Sequence, residues 1–167
     1  MFEKGSFVIN VNNGICEIRE TVTMNMTGEE KEYYVLYPIE EKTSKIYVAV
    51  DHAEKRIRPA MNGEEARRLI SEIPAVDETL VENEKDRERI YKDAINSRDP
   101  KRLISIMKSL YIRRQKRLEE GKKSTAIDDR YFKLAENQLH GELAFALGVQ
   151  KSEVEQIIEA TIEKLEL

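Results

Sequence analysis

Up to Pro59 the chain alternates apolar and polar residues in short runs, and from Asn62 the apolar spacing changes to threes and fours. A period of two places alternate side chains on opposite faces of a strand, whereas threes and fours line one face of a helix. Ser6 to Val11 alternates and stops at Asn12-Asn13-Gly14, residues that accept positive φ at low cost and so favour a tight turn. Ile15 to Met24 alternates again, and a second turn is expected from Asn25 to Glu29 with Gly28 as its pivot. Lys31 to Ile39 is rich in the aromatic and β-branched residues that strands prefer. Beyond Glu40-Glu41-Lys42-Thr43-Ser44 comes a strand from Lys45 to Val50, and Ile57-Arg58-Pro59 closes the unit, where proline forbids a further ladder bond.

Four or five strands in so short a stretch cannot form a sandwich; they predict a small, strongly bent β-barrel of the SH3 or Tudor type over residues 1–60. The remainder, 61–167, predicts an all-helical domain of about five helices, which makes the fold class α+β. Asn62 is suited to cap a first helix starting at Gly63, with Glu64 and Glu65 in its first turn and Pro74 at its exit. A second helix is expected from about Thr79 to Ser97. The third has Asp99 as N-cap and Pro100 at its first position, and carries Leu103, Met107, Leu110, Tyr111 and Leu118 at helical spacing as far as Gly121. A fourth is expected from about Asp128 to Leu147, ended by Gly148. Ser152 and Glu155 suggest a capping box for a fifth that runs to the C-terminus.

Charge changes this picture from architecture to interaction. The net charge of −4 argues against indiscriminate coating of nucleic acid, yet Arg98 to Lys123 holds ten basic residues against three acidic ones. From Asp128 onward the balance reverses, with nine acidic residues against four basic. On the third helix Arg102, Arg113, Lys116 and Arg117 fall on one side, and Lys122 and Lys123 extend the patch. Such a face can neutralise several phosphates; alternatively, its arginines pair with the acidic second and fourth helices. Tyr33, Tyr34, Tyr37 and Tyr47 crowd two strands, and adjacent Tyr33 and Tyr34 must face opposite sides. An exposed tyrosine beside an uncovered strand edge suits protein docking, and the alternative is a tyrosine-rich core with its hydroxyls at the rim.

Catalytic and cofactor chemistry finds no support. The seven glycines form no phosphate-cradling motif, and Cys16, His52 and His140 lack metal-ligand spacing. Cys16, the only cysteine, excludes an intramolecular disulfide and reads as a small buried hydrophobe. No apolar run approaches a membrane span and no secretion signal opens the chain, so a cytoplasmic binding protein is expected, with no catalytic residues, metal, cofactor, small-molecule substrate or membrane partner.

Several ordered fragments add to this. In the first unit they are Phe2-x-x-Gly5-x-x-Val8-Ile9, Gly14, Gly28-Glu29-x-Lys31-x-Tyr33-Tyr34-Val35-Leu36, Val48-x-Val50-Asp51-x-Ala53-Glu54 and Ile57-Arg58-Pro59. In the second they are Ser97-x-Asp99, Leu110-Tyr111-x-Arg113-Arg114-Gln115 and Leu139-x-Gly141-Glu142-Leu143-Ala144. As a set, over nearly the whole chain, they resemble the CarD/CdnL family of bacterial RNA polymerase-binding transcription regulators. The resemblance implies a Tudor-like barrel, shared with the transcription-repair coupling factor, that docks on the RNA polymerase β subunit. It also implies a helical domain that reaches promoter DNA at the upstream edge of the melted region and modulates open-complex stability, through an apolar minor-groove wedge and basic contacts to phosphate. By position, the docking strands correspond to Val22-Thr23-Met24 and Lys45-Ile46-Tyr47. The phosphate-contacting candidates are Arg87, Arg89, Arg113, Arg114 and Lys133, joined by Lys116 and Arg117 from the basic helix face.

The departures are specific. The chain has no tryptophan, and Asn83-Glu84 stands where the family places its wedge tryptophan after an asparagine. A carboxylate there cannot unstack bases and is repelled by phosphate. Lys85-Asp86-Arg87-Glu88-Arg89 dilutes the basic run that follows, and Met24 and Tyr47 stand where relatives often carry arginine. The competing reading is a protein–protein adaptor that makes no DNA contact.

Overall fold

The computed structural model describes residues 1–41 and 43–166; Lys42 and the expected helix end at Leu167 lie outside them. The chain divides into two units, Met1–Ala60 and Met61–Leu167.

The first unit is an antiparallel sheet of β1 (Phe7–Asn10), β2 (Gly14–Asn25), β3 (Glu30–Pro38), β4 (Ile46–Ala49) and β5 (Ile57–Pro59), in the spatial order β4-β3-β2-β1-β5. Both hairpin turns form where asparagine and glycine allow them. The Asn12 N–H bonds to Asn10 Oδ1 at 3.1 Å, and the Gly28 N–H bonds to Asn25 Oδ1 at 2.9 Å with Gly28 at φ 91°. β5 pairs with β1, Pro59 opposite Val8, and so sits at a sheet edge, as a residue without an N–H must. One sheet face packs Val8, Cys16, Ile18, Tyr34, Leu36, Val48, Ala53 and Ile57 into a core. Phe2 closes it: its N–H donates to the Tyr34 hydroxyl at 3.0 Å and its ring meets the tyrosine edge-on at 5.8 Å. Burial pushes the Cys16 thiol up to about 11, consistent with an inert apolar residue.

Between Ile18 and Glu20 the register of β2 against β3 shifts, leaving Arg19 as a bulge. The bulge changes which residues face the core. Cys16 and Ile18 lie on the core face, but beyond Arg19 it is Thr21 and Thr23 that pair with Tyr34 and Glu32, while Val22 and Met24 pair with Tyr33 and Lys31 on the other face.

The second unit comprises α1 (Gly63–Glu72), α2 (Arg87–Ser97), α3 (Pro100–Glu119), α4 (Ala126–Leu147) and α5 (Val154–Glu166). α4 packs against all four others, and Met61, Leu69, Ile70, Tyr91, Ile104, Ile106, Leu110, Leu139, Leu143 and Val154 belong to one core. α1 starts at Asn62, whose side chain accepts from the Glu65 N–H at 2.8 Å while Glu65 reaches back to the Asn62 N–H at 3.3 Å. A Cβ on Gly63 would lie 3.1 Å from the Ala146 carbonyl oxygen, so glycine permits the close approach of α1 to α4. The buried Glu142 carboxylate accepts from the Met61 N–H at 3.0 Å and anchors the start of the unit. No helix among the described residues is long and apolar enough to cross a membrane.

Four expectations are corrected. The second helix begins at Arg87, not near Thr79, because the polar side of α3 takes up backbone groups of the preceding segment. Ser105 Oγ donates to the Asp77 carbonyl at 2.7 Å, Ser109 Oγ to that of Thr79, and the Lys108 ammonium to those of Ile73 and Val76. The fourth helix begins at Ala126, with Thr125 Oγ1 accepting from the Asp128 N–H at 3.1 Å, so Asp128 is not its start but an inward-facing residue of its first turn. The lead into α5 is fastened at Gln150, whose N–H donates to Glu153 at 3.1 Å, rather than at Ser152 and Glu155. On α3, Tyr111 and Leu118 are exposed, and Leu103, Ile104, Ile106 and Leu110 form the buried stripe.

Leu143→Ala should destabilise the helical unit by about 2–5 kcal/mol, since the side chain is fully buried on the central helix and leaves a cavity. Urea unfolding followed by far-UV circular dichroism measures it.

Candidate functional site

Two surfaces, one in each unit, collect the predicted interaction residues. In the sheet, the two triplets flank β3. Lys45-Ile46-Tyr47 enters and opens β4, an edge strand. Val22-Thr23-Met24 lies in β2 beyond its pairing with β1, which ends at Glu17, so among the described residues no strand pairs with its second edge there. Both triplets therefore offer backbone hydrogen-bonding groups that the sheet leaves unused.

Alternation splits each triplet. Tyr47 is directly opposite Val35, and Val22 and Ala49 are both opposite Tyr33, so Val22, Met24 and Tyr47 share the face opposite the core with Tyr33 and Val35. Ile46 is opposite Leu36 and packs against the core, and Thr23 is on that same core side of the sheet. Tyr47 is 39% exposed, and a cavity of about 270 Å³ opens beside it between Tyr33, Asp51, His52 and Arg56. Tyr37 continues the row, with the Arg19 guanidinium 4.4 Å and the Lys45 ammonium 5.7 Å from its ring centroid. The hydrogen bond with Tyr37 raises the Lys45 pKa above its ordinary value. Of the four crowded tyrosines, Tyr33 and Tyr34 are buried on opposite faces and Tyr47 is the exposed one.

In the helical unit the candidate basic residues have unequal environments. Arg87 grips Glu84 with two nitrogens, Nη2 to Oε1 at 2.7 Å and Nε to Oε2 at 3.0 Å, and donates a third hydrogen bond to the Tyr91 hydroxyl at 2.8 Å. Arg113 donates from Nε to Asp128 Oδ2 at 2.7 Å and from Nη1 to Glu84 Oε1 at 3.0 Å. Tyr91 completes the cluster by donating to Asp128 Oδ1 at 3.4 Å. The expected pairing of basic with acidic helices thus forms for Arg113 and α4. The Asp128 side chain is 7% exposed, so Arg113 supplies the ion-pair partner that a buried carboxylate requires.

Other basic residues are also engaged: Lys101 with Glu72 at 3.0 Å, Lys122 with Glu120 at 3.5 Å, and Arg117 with the Lys123 carbonyl at 2.8 Å. Arg89 pairs at 3.5 Å with both Asp86 and Asp93 on the exposed surface, where such pairs exchange readily with solvent ions. Arg114, Lys116 and Lys133 are exposed and have no ion-pair partner among the described residues. They are the predicted residues with available charge.

Glu84 itself is the feature that spacing could not reveal. Asn83 caps the turn Glu84–Asp86 by accepting from the Lys85 N–H at 3.2 Å, which aims Glu84 at both arginines. The hydrogen bond from Arg87 is the chief cause that holds the Glu84 carboxyl down to about 2. A carboxylate stabilised in the folded state adds stability that is fully present above its ordinary value of 4.5 and is lost as pH falls through about 2. The melting-temperature difference between the natural chain and Glu84→Gln should therefore be constant from neutral pH to about pH 5 and close between there and about pH 2. Thermal unfolding in a pH series measures it.

No group of three or more His, Cys, Asp or Glu among the described residues is placed to hold a metal ion. A search of curated proteins finds no match to the chain. Residues 2–61 match the family model described as the CarD-like/TRCF RID domain, and this span holds the five-stranded sheet, its core and both docking triplets. The first unit is thus similar to the CarD-like/TRCF RID domain, a Tudor-like RNA polymerase-interacting domain, and the match ends where the helical unit begins.

Proposed function

We propose that this protein is a non-catalytic, cytoplasmic transcription regulator that docks on the RNA polymerase β subunit through its first unit. Its helical unit then contacts promoter DNA near the upstream edge of the melted region and modulates open-complex stability. The observation that carries the reading is the RID domain, with both docking triplets on sheet edges left unpaired among the described residues. An added strand from a partner would take up those backbone groups, while Tyr47 and the hollow beside it would supply side-chain specificity. The DNA half draws on Arg114, Lys116, Lys133 and the exchangeable Arg89. Arg113 has a second duty as the counter-charge of Asp128, so its reversal would unfold the site as well as remove a cation.

The adaptor reading retains one specific observation. Between α3, α4 and α5 lies a cavity of about 450 Å³ lined by Ile104, Met107, Phe132, Leu139 and Ile158. Tyr111 is exposed at its margin, and burial lowers the pKa of His140 beside it. A partner protein, rather than DNA, would use such a surface.

Two measurements on the full chain separate the readings. Immobilised polymerase β subunit should retain the protein, and Tyr47→Ala should weaken retention by about 30-fold, the ~2 kcal/mol of an interface hot spot. Fork-junction promoter DNA should be bound in a salt-dependent manner. Arg114→Glu/Lys116→Glu should weaken that binding at least about tenfold and flatten its dependence on log salt by about 2. Absence of salt-dependent DNA binding by the natural chain, with polymerase retention intact, establishes the adaptor instead.

A further inference from the structure

The cluster at Glu84 has the form of an occupied anion site. Two arginine forks converge on one carboxylate, the arrangement that also suits phosphate oxygens. The arginine side chains are 16% and 23% exposed, whereas that of Glu84 is 68% exposed, so the anion is the part that solvent reaches. Behind it, Tyr91 holds Arg87 and Asp128 holds Arg113 through nitrogens that make no hydrogen bond to Glu84. Both forks keep their aim when the carboxylate leaves. Beside the pair, a polar cavity of about 320 Å³ is walled by Arg87, Arg113, Lys116 and Arg117, with Ser109 and Leu80 between them and Glu78 and Glu120 also on its wall.

We propose that Glu84 is a built-in occupant of a phosphodiester site formed by Arg87 and Arg113, and that a nucleic-acid phosphate takes the place of its carboxylate. This rests on the reading that the helical unit meets DNA. Within the cluster two carboxylates balance two guanidiniums, so one singly charged phosphodiester in place of Glu84 preserves neutrality, whereas a doubly charged monoester does not. The carboxyl stays ionised throughout the physiological range; a competing anion, not protonation, is what dislodges it. In its resting state the site hides two of the strongest phosphate-binding side chains of the unit, which limits attraction to arbitrary DNA and releases it at a site already docked.

The test compares the natural full chain with Glu84→Gln and with Arg114→Glu/Lys116→Glu. Fork-junction DNA is titrated by fluorescence anisotropy across a salt series, and dimethyl phosphate is titrated while the Arg87 and Arg113 Nε–Hε resonances are followed by NMR. Glu84→Gln should bind DNA about tenfold more tightly, with a salt slope steeper by about 1 to 2 as freed guanidiniums release counterions from the DNA. Dimethyl phosphate should shift both arginine resonances in Glu84→Gln at concentrations that leave the natural chain unchanged. Partial unfolding of the variant would weaken DNA binding, the opposite sign, so a gain cannot arise from it. The proposal is overturned if Glu84→Gln binds DNA no more tightly and its arginine resonances ignore dimethyl phosphate, even where the double variant weakens binding and so upholds DNA contact. If dimethyl phosphate titrates Glu84→Gln but no form of the protein binds DNA, the anion site stands and the DNA reading fails.

Discussion

A carboxylate withdrawn from water must be met by positive charge or by hydrogen bonds, and Asp128 imposes that demand at the centre of the helical unit. Thr125 takes over the capping of α4, which lets the Asp128 side chain turn inward. Arg113 answers from α3 and the Tyr91 hydroxyl from α2. The remaining nitrogen of Arg113 reaches Glu84, Glu84 receives Arg87, and Arg87 returns to Tyr91. A closed ring of contacts joins the start of α2, the middle of α3 and the first turn of α4. Such a ring specifies how three helices meet more than it adds to net stability, since desolvation offsets much of its attraction. It also means that the basic residues of this region are not a measure of its available charge.

The sheet faces a different constraint, that of parity. Consecutive residues of a strand cannot share a face, so a docking triplet read from sequence contributes one or two side chains to a surface and the remainder to the opposite side. Tyr47 and Lys45 fall with Tyr37 and Val35 on one side, while Ile46 is spent on the core. What a triplet can offer as a whole is its backbone, and both triplets lie on edges that no strand pairs with among the described residues.

Most of the fold was legible because local chemistry and periodicity agreed. Asn62, Asp99 with Pro100, and Gly148 mark helix ends that the structure also has, and the asparagine–glycine turns of the sheet are in place. The failures occurred where distant residues decided the outcome. Thr79 is held outside any helix by Ser105 and Ser109, residues more than a helix away in sequence. At Asp128 a solvated acid at a helix start and a buried one look alike until Arg113 is placed opposite. Within the candidate site, the exposed charge of Arg114, Lys116 and Lys133 could be anticipated from composition. The role of Glu84 could not, because reading it required knowing that α3 brings Arg113 to the turn before α2.

The bulge at Arg19 has a consequence for how such strands tolerate change. Cys16, Ile18, Val22 and Met24 keep the even spacing of a strand buried along one side, yet the extra residue divides them between two surfaces. Loss of Arg19 would merely straighten the strand, and every later residue would keep its partner on β3. Loss of one residue after it, at Thr21, can be absorbed at the same place: with the Asn25–Glu30 pair kept, Arg19 and Glu20 take up the partners Val35 and Tyr34, and Val22, Thr23 and Met24 hold theirs. The bulge is therefore a one-residue reserve: a deletion between Ile18 and the turn can be taken up there, and the sides to which Val22, Thr23 and Met24 point are set from the turn end of the strand.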